Sequence, residues 1–234
     1  TTLYPPQAVS ANLGVAFYRW DAVWYVELAR TGYDEKSAAF FPLYPLLMRL
    51  LSRLGMDLAT AGYLISHLSF LGALAVFYAL GRRSYDRETA RRALWYLALF
   101  PTSFFFSLIY TEALYLLLAV LTFYFLQSRN WPAAALAGCL ASATRSVGIF
   151  LTPAAFTAYL LYRWEEKRCQ RPERLTGRLF PGLLWLALMP GGLAAYMVFL
   201  WVKLGDPLAF VHAQQFWQRE FAWPWESLAM ALVL

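Results

Sequence analysis

The sequence predicts an all-α fold: a polytopic integral membrane protein in which transmembrane helices form a bundle and further helices lie outside the membrane. Apolar residue types make up 60% of the 234 residues, and charged types make up only 15%. The charged residues are gathered into short segments, which are separated by long uncharged runs. Such runs are typical of helices that cross a bilayer, because about 20 apolar residues span its hydrocarbon core.

The first clear span covers residues 59–81 and is followed at once by a loop rich in arginine, residues 82–92. Arginine in short loops marks the cytoplasmic side of a membrane. We therefore expect the loop to be cytoplasmic and residues 1–58 to be external. The formal charge of +6 is concentrated in such loops, so nucleic-acid binding is not expected.

The apolar run at residues 93–127 is too long for one ordinary crossing. Pro101 interrupts it, and the polar group at 110–112 follows, so we predict two short spans at about 93–109 and 113–127. Each is close to the lower limit of roughly 17 residues for a crossing. The alternative is one long tilted helix whose polar residues are buried in the bundle.

The apolar run at residues 132–164 divides in the same way, first at Arg145-Ser146 and again at Pro153. The same alternative of one long tilted helix applies here. Under either interpretation the chain is back on the cytoplasmic side at residues 163–178, and the many arginines of that loop support this placement.

Residues 180–202 predict one outward crossing, which leaves residues 204–225 as a second external segment before the chain turns back. We see no sequence repeat and no Gly/Ser linker, so residues 1–234 are interpreted as a single membrane-embedded domain. The chain starts at Thr1 and stops inside an apolar run, so we expect a fragment that lacks a first span and a C-terminal part.

Asp21 is the first candidate for chemistry. Helical spacing over residues 15–30 places it on an apolar face, beside Trp24, Tyr25 and Leu28. Burial among aromatic rings raises the pKa of a carboxylate toward the range that suits a general base. The alternative is an aspartate that caps a neighbouring helix or reaches water, and spacing leaves both open.

An aromatic and proline-rich segment follows at residues 39–45. Its paired phenylalanines, of which Phe41 precedes Pro42, predict a rigid apolar wall that can hold a lipid. The alternative is an interfacial aromatic belt, since aromatic side chains collect at the level of the lipid headgroups.

Four groups of short motifs follow one another along the chain. They are Arg19-Trp20-Asp21-Ala22 with Gly32-Tyr33 and Ala39-Phe40-Phe41-Pro42; Phe100-Pro101 with Tyr110-Thr111-Glu112; Ala141-Ser142 with Thr144-Arg145; and Gly205-Asp206-Pro207 with Ala213-Gln214 and Trp217. In this order they resemble the GPI mannosyltransferase 2 (PIG-V) family, the first group matching its first luminal loop. The shorter loops and many arginines are more similar to bacterial-type relatives than to eukaryotic members.

The resemblance implies a glycosyltransferase of the GT-C type. Such an enzyme takes a mannosyl or related hexosyl unit from a polyprenyl or dolichyl phosphate sugar, inverts the anomeric centre, and passes the unit to a glycolipid or glycan acceptor. It implies a bacterial plasma membrane with the site facing outward, or an endoplasmic reticulum membrane with a luminal site. No cofactor and no essential metal are expected, and whether a partner subunit is needed stays open.

The resemblance also implies roles for individual residues, with Asp21 as the general base that takes the proton of the acceptor hydroxyl. Arg145 is the first choice for the leaving phosphate, with a structural ion pair to Glu112 as the alternative. Glu112 itself either binds acceptor hydroxyls or caps a helix. The substrate-binding candidates are Trp20, Tyr25, Phe41, Pro42, Tyr110, Glu112, Arg145, Asp206, His212, Gln215 and Arg219.

Two competing functions remain at this point. Polar residues within broken helices also build the substrate paths of transporters and lipid flippases. That function predicts a path through the membrane, whereas the polar candidates collect on one side. A non-catalytic scaffold would require the position of Asp21 to be incidental.

Overall fold

The computed structural model describes residues 20–168, 179–217 and Trp225. All regular secondary structure in these residues is helical, which confirms the all-α prediction. The α-helices are α1 (Asp21–Thr31), α2 (Leu43–Ser52), α3 (Leu58–Ser84), α4 (Arg87–Leu99), α5 (Glu112–Gln127), α6 (Trp131–Thr144), α7 (Leu151–Arg168), α8 (Leu179–Leu186), α9 (Gly191–Leu204) and α10 (Ala209–His212). The 3₁₀ helices are Ser37–Ala39, Pro101–Ser107, Ser146–Phe150 and Ala213–Trp217.

Helix α3 is the predicted first span and is 27 residues long. The Asp57 carboxylate caps its first turn by accepting a hydrogen bond of 3.0 Å from the Thr60 amide. Leu68 and Leu71 of this helix are more than half exposed, as expected for side chains that face lipid. Among the described residues, α3 is the one helix that is long and apolar enough to cross a bilayer by itself. If each of two bent helix pairs counts as one span, the described residues contain up to three spans.

Four helices form the centre of the bundle, with α3 packed against α5, α5 against α6, and α6 against α9. Arg83 donates a hydrogen bond of 2.5 Å to Ser128, so α3 and α5 finish at the same end of the bundle. We call this the Arg83 end. Glu112, at the start of α5, pairs with Arg145, just past α6, and this opposite end is the Arg145 end.

The long apolar run at residues 93–127 is interrupted near Pro101 and again before Glu112, as predicted. Helix α4 leaves the Arg83 end and stops at Leu99, and the 3₁₀ helix Pro101–Ser107 continues along α3, where Phe106 stacks on Phe70 at 4.8 Å. A bend of 98° then separates this 3₁₀ helix from α5. Residues 93–127 therefore lie in three short elements, α4, this 3₁₀ helix and α5, and the alternative of one long tilted helix is wrong. The two separate crossings stay a prediction.

The second long run also breaks, at Arg145, as predicted. Pro153 does not divide it further, because this proline lies in the first turn of α7, where a missing amide hydrogen disrupts no helical hydrogen bond. Residues 180–202 are not one continuous helix, because α8 and α9 are separated by a turn at residues 187–190 that ends in Pro190. The single crossing predicted there stays a prediction.

Glycine lets α9 approach α6 closely at the level of Cys139. A Cβ on Gly192 would lie 2.0 Å from the carbonyl oxygen of Cys139 and 2.7 Å from the amide nitrogen of Ala143. The Ser142 hydroxyl donates across this contact to the Met189 carbonyl, at 2.8 Å. The contact fixes the last turn of α6, from which Arg145 emerges.

Candidate active site

The Arg145 end of the bundle contains a cavity of about 420 Å³. It is lined by α1 and the aromatic segment, by the start of α5, by the 3₁₀ helix Ser146–Phe150, and by the segment from α10 to Trp217. Both polar and apolar side chains line it. The lining residues are Asp21, Tyr25, Ala39, Phe40, Phe41, Thr111, Glu112, Thr144, Arg145, Ser146, Phe210, Val211, Gln214 and Trp217.

Asp21 is the first residue of α1 and is half-buried at the cavity. A negative charge is stabilised at a helix N-terminus by the helix dipole. The preceding residue, Trp20, has φ 52° and ψ −124°, a backbone conformation that costs a non-glycine residue conformational energy. Backbone strain of this kind is found most often at functional sites, where it fixes the direction of a side chain.

A charged pair faces Asp21 across the cavity. Arg145 Nη1 lies 2.5 Å from Glu112 Oε1, and the same nitrogen donates to the Thr111 hydroxyl at 3.1 Å. The Tyr25 phenol also donates to this hydroxyl, at 3.4 Å. Thr111 therefore connects α1, through Tyr25, with the arginine that follows α6.

The electrostatics of this network favour a charged arginine and a neutral tyrosine. Burial lowers the pKa of Arg145, but the charge of Glu112 and its hydrogen bond outweigh this effect, so the pKa of Arg145 is raised. The charge of Asp21 acts on Arg145 in the same direction. Burial raises the pKa of Tyr25 well above its ordinary value, so the phenol keeps its proton and remains a donor.

Aromatic rings form one wall of the cavity around Phe40. Trp24 stacks on the Phe40 ring at 5.9 Å, and Tyr25 and Trp217 contact it edge-on at 5.2 and 5.6 Å. Phe41 also lines the cavity, and its ring contacts Tyr196 at 5.1 Å. This wall joins α1 to the segment near Trp217, which lies almost two hundred residues later in the chain.

The structure brings five of the sequence-predicted site residues to the cavity, namely Asp21, Tyr25, Phe41, Glu112 and Arg145. Trp20, Pro42 and Tyr110 adjoin it in the chain without lining it. Trp20 is 52% exposed, and Tyr110 is buried with its ring stacked on Phe105.

The remaining predicted residues lie elsewhere. Asp206 and His212 contact each other at 2.6 Å on the surface and do not line the cavity. Gln215 is exposed, and its neighbour Gln214 lines the cavity instead. Arg219 lies outside the described residues.

Sequence reasoning did not select Thr111, Thr144, Ser146 or Phe40 as site residues. Phe40 and Thr111 stood within quoted motifs, beside the selected Phe41 and Glu112, but hydroxyl and phenyl groups carry little chemical signal by themselves. Their role depends on which elements meet at the cavity, and sequence spacing does not contain this information. The ion pair between Arg145 and Glu112 is present, and the role of Arg145 at a leaving phosphate stays a prediction.

Within residues 20–168 and 179–217, no group of three His, Cys, Asp or Glu side chains is arranged to hold a metal ion. Asp21 and Glu112 are the two carboxylates of the cavity. Independence from metal therefore stays a prediction.

The structure is a helical bundle with a helix long enough to cross a membrane and a charged cavity at one end. These features define the class of protein as a polytopic membrane protein with an intramembrane or interfacial site. The sequence then decides the family. The family described as Mannosyltransferase (PIG-V) matches residues 6–206, and the chain belongs to this family of membrane-associated glycosyltransferases. The matched range contains every charged residue of the cavity.

A curated relative supports the assignment. The GPI mannosyltransferase 2 of Schizosaccharomyces pombe (strain 972 / ATCC 24843) is 30% identical over 146 residues, which is 59% of this chain and 31% of the relative. The matched part of the chain thus spans about a third of the length of that relative. No solved structure matches the chain significantly.

Proposed function

We propose that the cavity at the Arg145 end transfers a mannosyl unit from a polyprenyl phosphate donor to a hydroxyl group of a glycolipid or glycan acceptor. The observation that carries the proposal is the convergence of Asp21, Glu112 and Arg145, from three separate parts of the chain, on one cavity. Membership of the family supports mannose as the sugar.

Asp21 is the general base. In a single displacement, the acceptor oxygen attacks the anomeric carbon while its proton passes to the Asp21 carboxylate. The bond from the anomeric carbon to the phosphate oxygen breaks, and its electron pair leaves with the polyprenyl phosphate. Because attack and departure occur on opposite faces, the anomeric configuration is inverted. The strained conformation of Trp20 supports a fixed direction for this carboxylate.

Arg145 stabilises the negative charge of the departing phosphate. A phosphate needs no proton to leave when a fixed cation stands close to it. Thr111 and Glu112 hold the guanidinium in place before substrate arrives, so little reorganisation is needed during the reaction. An arginine still has further N–H groups for the phosphate after these two contacts, because its guanidinium carries five.

Glu112 has a second task in this scheme, which is to accept a hydrogen bond from a hydroxyl group of the bound sugar or acceptor. The aromatic wall around Phe40 gives the apolar side of a sugar or the first isoprene units a surface to contact. The charged groups lie at one end of the bundle rather than along a path through it, and this supports transfer over transport. We propose an outward-facing site in a bacterial plasma membrane, which corresponds to a luminal site in the endoplasmic reticulum.

The test is Asp21→Asn in the full-length protein, reconstituted with polyprenyl phosphomannose and candidate acceptors. We expect mannosyl transfer to fall by about a hundredfold or more, in line with the loss of a general base, while donor binding is kept. The matched control is Glu27→Gln, because Glu27 lies on the same helix but pairs only loosely with Arg30, at 4.0 Å, and does not line the cavity. Undiminished transfer by Asp21→Asn would rule out the base assignment.

A further inference from the structure

The Arg83 end contains a second cavity, of about 590 Å³, far from the candidate active site. It lies between α3, α4, α5 and α7. We propose that this cavity binds an acyl chain of an anionic phospholipid and that Arg129 holds the phosphate at its mouth. The proposal does not depend on mannosyl transfer.

The walls of the cavity suit a hydrocarbon chain. Phe77 and Leu80 come from α3, and Phe123 and Leu126 come from α5. The volume is within the range of about 300–1,000 Å³ that is usual for small-molecule sites, and such sites are mainly apolar with a few polar groups that orient the ligand. Here the polar side chains include Thr89, Arg129 and Ser84, whose hydroxyl accepts from the Gln127 amide at 3.0 Å.

Arg129 occupies a position at which the backbone favours glycine. It has φ 59° directly after α5, and the Asn130 amide closes the turn by donating to the Phe125 carbonyl at 2.9 Å. Glycine adopts this left-handed conformation without steric cost, whereas a side chain does not. The guanidinium of Arg129 lies over the Tyr162 ring at 3.8 Å, and both residues line the cavity. The strained backbone thus places a cation at an apolar cavity.

The surrounding charge matches an anionic lipid rather than a neutral one. Residues 82–92 contain five arginines, Arg82, Arg83, Arg87, Arg91 and Arg92, against two acids, Asp86 and Glu88. Glu88 neutralises part of this charge by pairing with Arg91 and Arg92, each at 2.9 Å. Arg83 donates to the Tyr124 carbonyl and the Ser128 hydroxyl instead, next to Arg129. Basic segments beside membrane helices attract anionic headgroups, and the outward-facing site proposed above would turn this end to the cytoplasmic leaflet, where such lipids lie.

The experiment measures lipid binding to the full-length protein in neutral detergent. Phosphatidylglycerol and phosphatidylcholine with the same acyl chains are titrated separately, and bound lipid is counted by native mass spectrometry alongside the midpoint of thermal unfolding. We expect phosphatidylglycerol to bind and raise the midpoint and phosphatidylcholine to do neither. Arg129→Gly should weaken phosphatidylglycerol binding about fivefold, as expected for the loss of one arginine near an anionic headgroup.

Two further variants separate the cavity from general surface charge. Ala158→Phe places a ring in the cavity and leaves every arginine in place, so we expect it to abolish the bound lipid. Arg53→Gln removes an exposed arginine outside the cavity and should bind phosphatidylglycerol as the unchanged protein does. Arg129→Gly is expected to fold because glycine relieves the positive φ, so it decides the question if Ala158→Phe does not fold.

Three results would overturn the proposal. One is equal binding of the two lipids, which would show that the headgroup charge is irrelevant. Another is unchanged phosphatidylglycerol binding by Arg129→Gly. The third is no lipid binding by the full-length protein, which would show that another part of the polypeptide fills the cavity.

Discussion

Glu112→Gln tests whether the ion pair with Arg145 supports the fold, the chemistry or both. The substitution keeps the size of the side chain and removes its charge, leaving Arg145 without its partner at 2.5 Å. Removing one partner costs about 3–5 kcal/mol for a fully buried pair and about 0.2–1 kcal/mol for an exposed pair. The two side chains are 32% and 37% exposed, so we expect a loss between these limits, about 1–2 kcal/mol.

The assay is thermal unfolding of the full-length protein in detergent, performed as a double-mutant cycle with Arg145→Gln. If the pair stabilises the fold, Glu112→Gln with Arg145→Gln should lose less than the sum of the single variants, by about 1 kcal/mol. Glu27→Gln provides the matched control for an exposed pair, with an expected loss below about 0.5 kcal/mol. Additive losses in the cycle would refute the reasoning that the pair stabilises the fold.

Mannosyl transfer in the same variants separates the two roles. The proposed function requires a cation at the leaving phosphate, so Arg145→Gln and the double variant should both lose transfer, even though the double variant is less destabilised than the sum of the single losses. Full transfer by the double variant would show that Arg145 acts only through the fold.

Three further predictions concern single positions. Thr111→Val removes the hydroxyl that accepts hydrogen bonds from both Tyr25 and Arg145. Because both donors lose this acceptor, we expect the free energy of unfolding to fall by about 1–3 kcal/mol. An unchanged midpoint of thermal unfolding would contradict this. Gly192→Ala should destabilise the bundle strongly, because the added Cβ meets the α6 backbone. Gly191→Ala should be tolerated, because its Cβ meets only the Cys139 sulfur, at 3.5 Å. Similar expression levels and unfolding midpoints for the two variants would contradict this packing. The hydrogen bond with the His212 side chain and, second, that with the Leu208 amide lower the pKa of Asp206. The contribution of this carboxylate to stability is therefore present above its ordinary pKa and is lost as the pH falls through its lower folded pKa. Asp206→Asn should flatten the acid limb of the stability profile, and an unchanged limb would refute this prediction.

The sequence was sufficient to predict the fold class and the helix breaks near Pro101 and at Arg145. Long uncharged runs indicate helices that are buried in lipid or protein. Proline and charged residues within such runs mark helix breaks, because proline removes a helical hydrogen bond and a charge is costly in apolar surroundings. It failed at Pro153 and at residues 180–202. A proline in a first turn is compatible with a helix, and a turn built from apolar residues leaves no polar signal.

For the candidate site, the sequence selected the charged residues because charge inside an apolar chain is costly and therefore informative. Asp21 and Tyr25, which helical spacing placed on one face, both line the cavity. It could not choose between the two roles of Arg145, because an ion pair to Glu112 depends on how α5 and α6 pack.

The sequence by itself thus determined a helical membrane protein, the motif order of its family and the three charged residues that line the cavity, all of which follow from local composition and spacing. Only the tertiary structure decided that Asp21, Glu112 and Arg145 share one cavity, that Gln214 rather than Gln215 faces it, and that Arg129 stands beside a second one. These are contacts between distant segments. They depend on helix packing, set here by close approaches such as that of Gly192 to α6, and local spacing does not encode them.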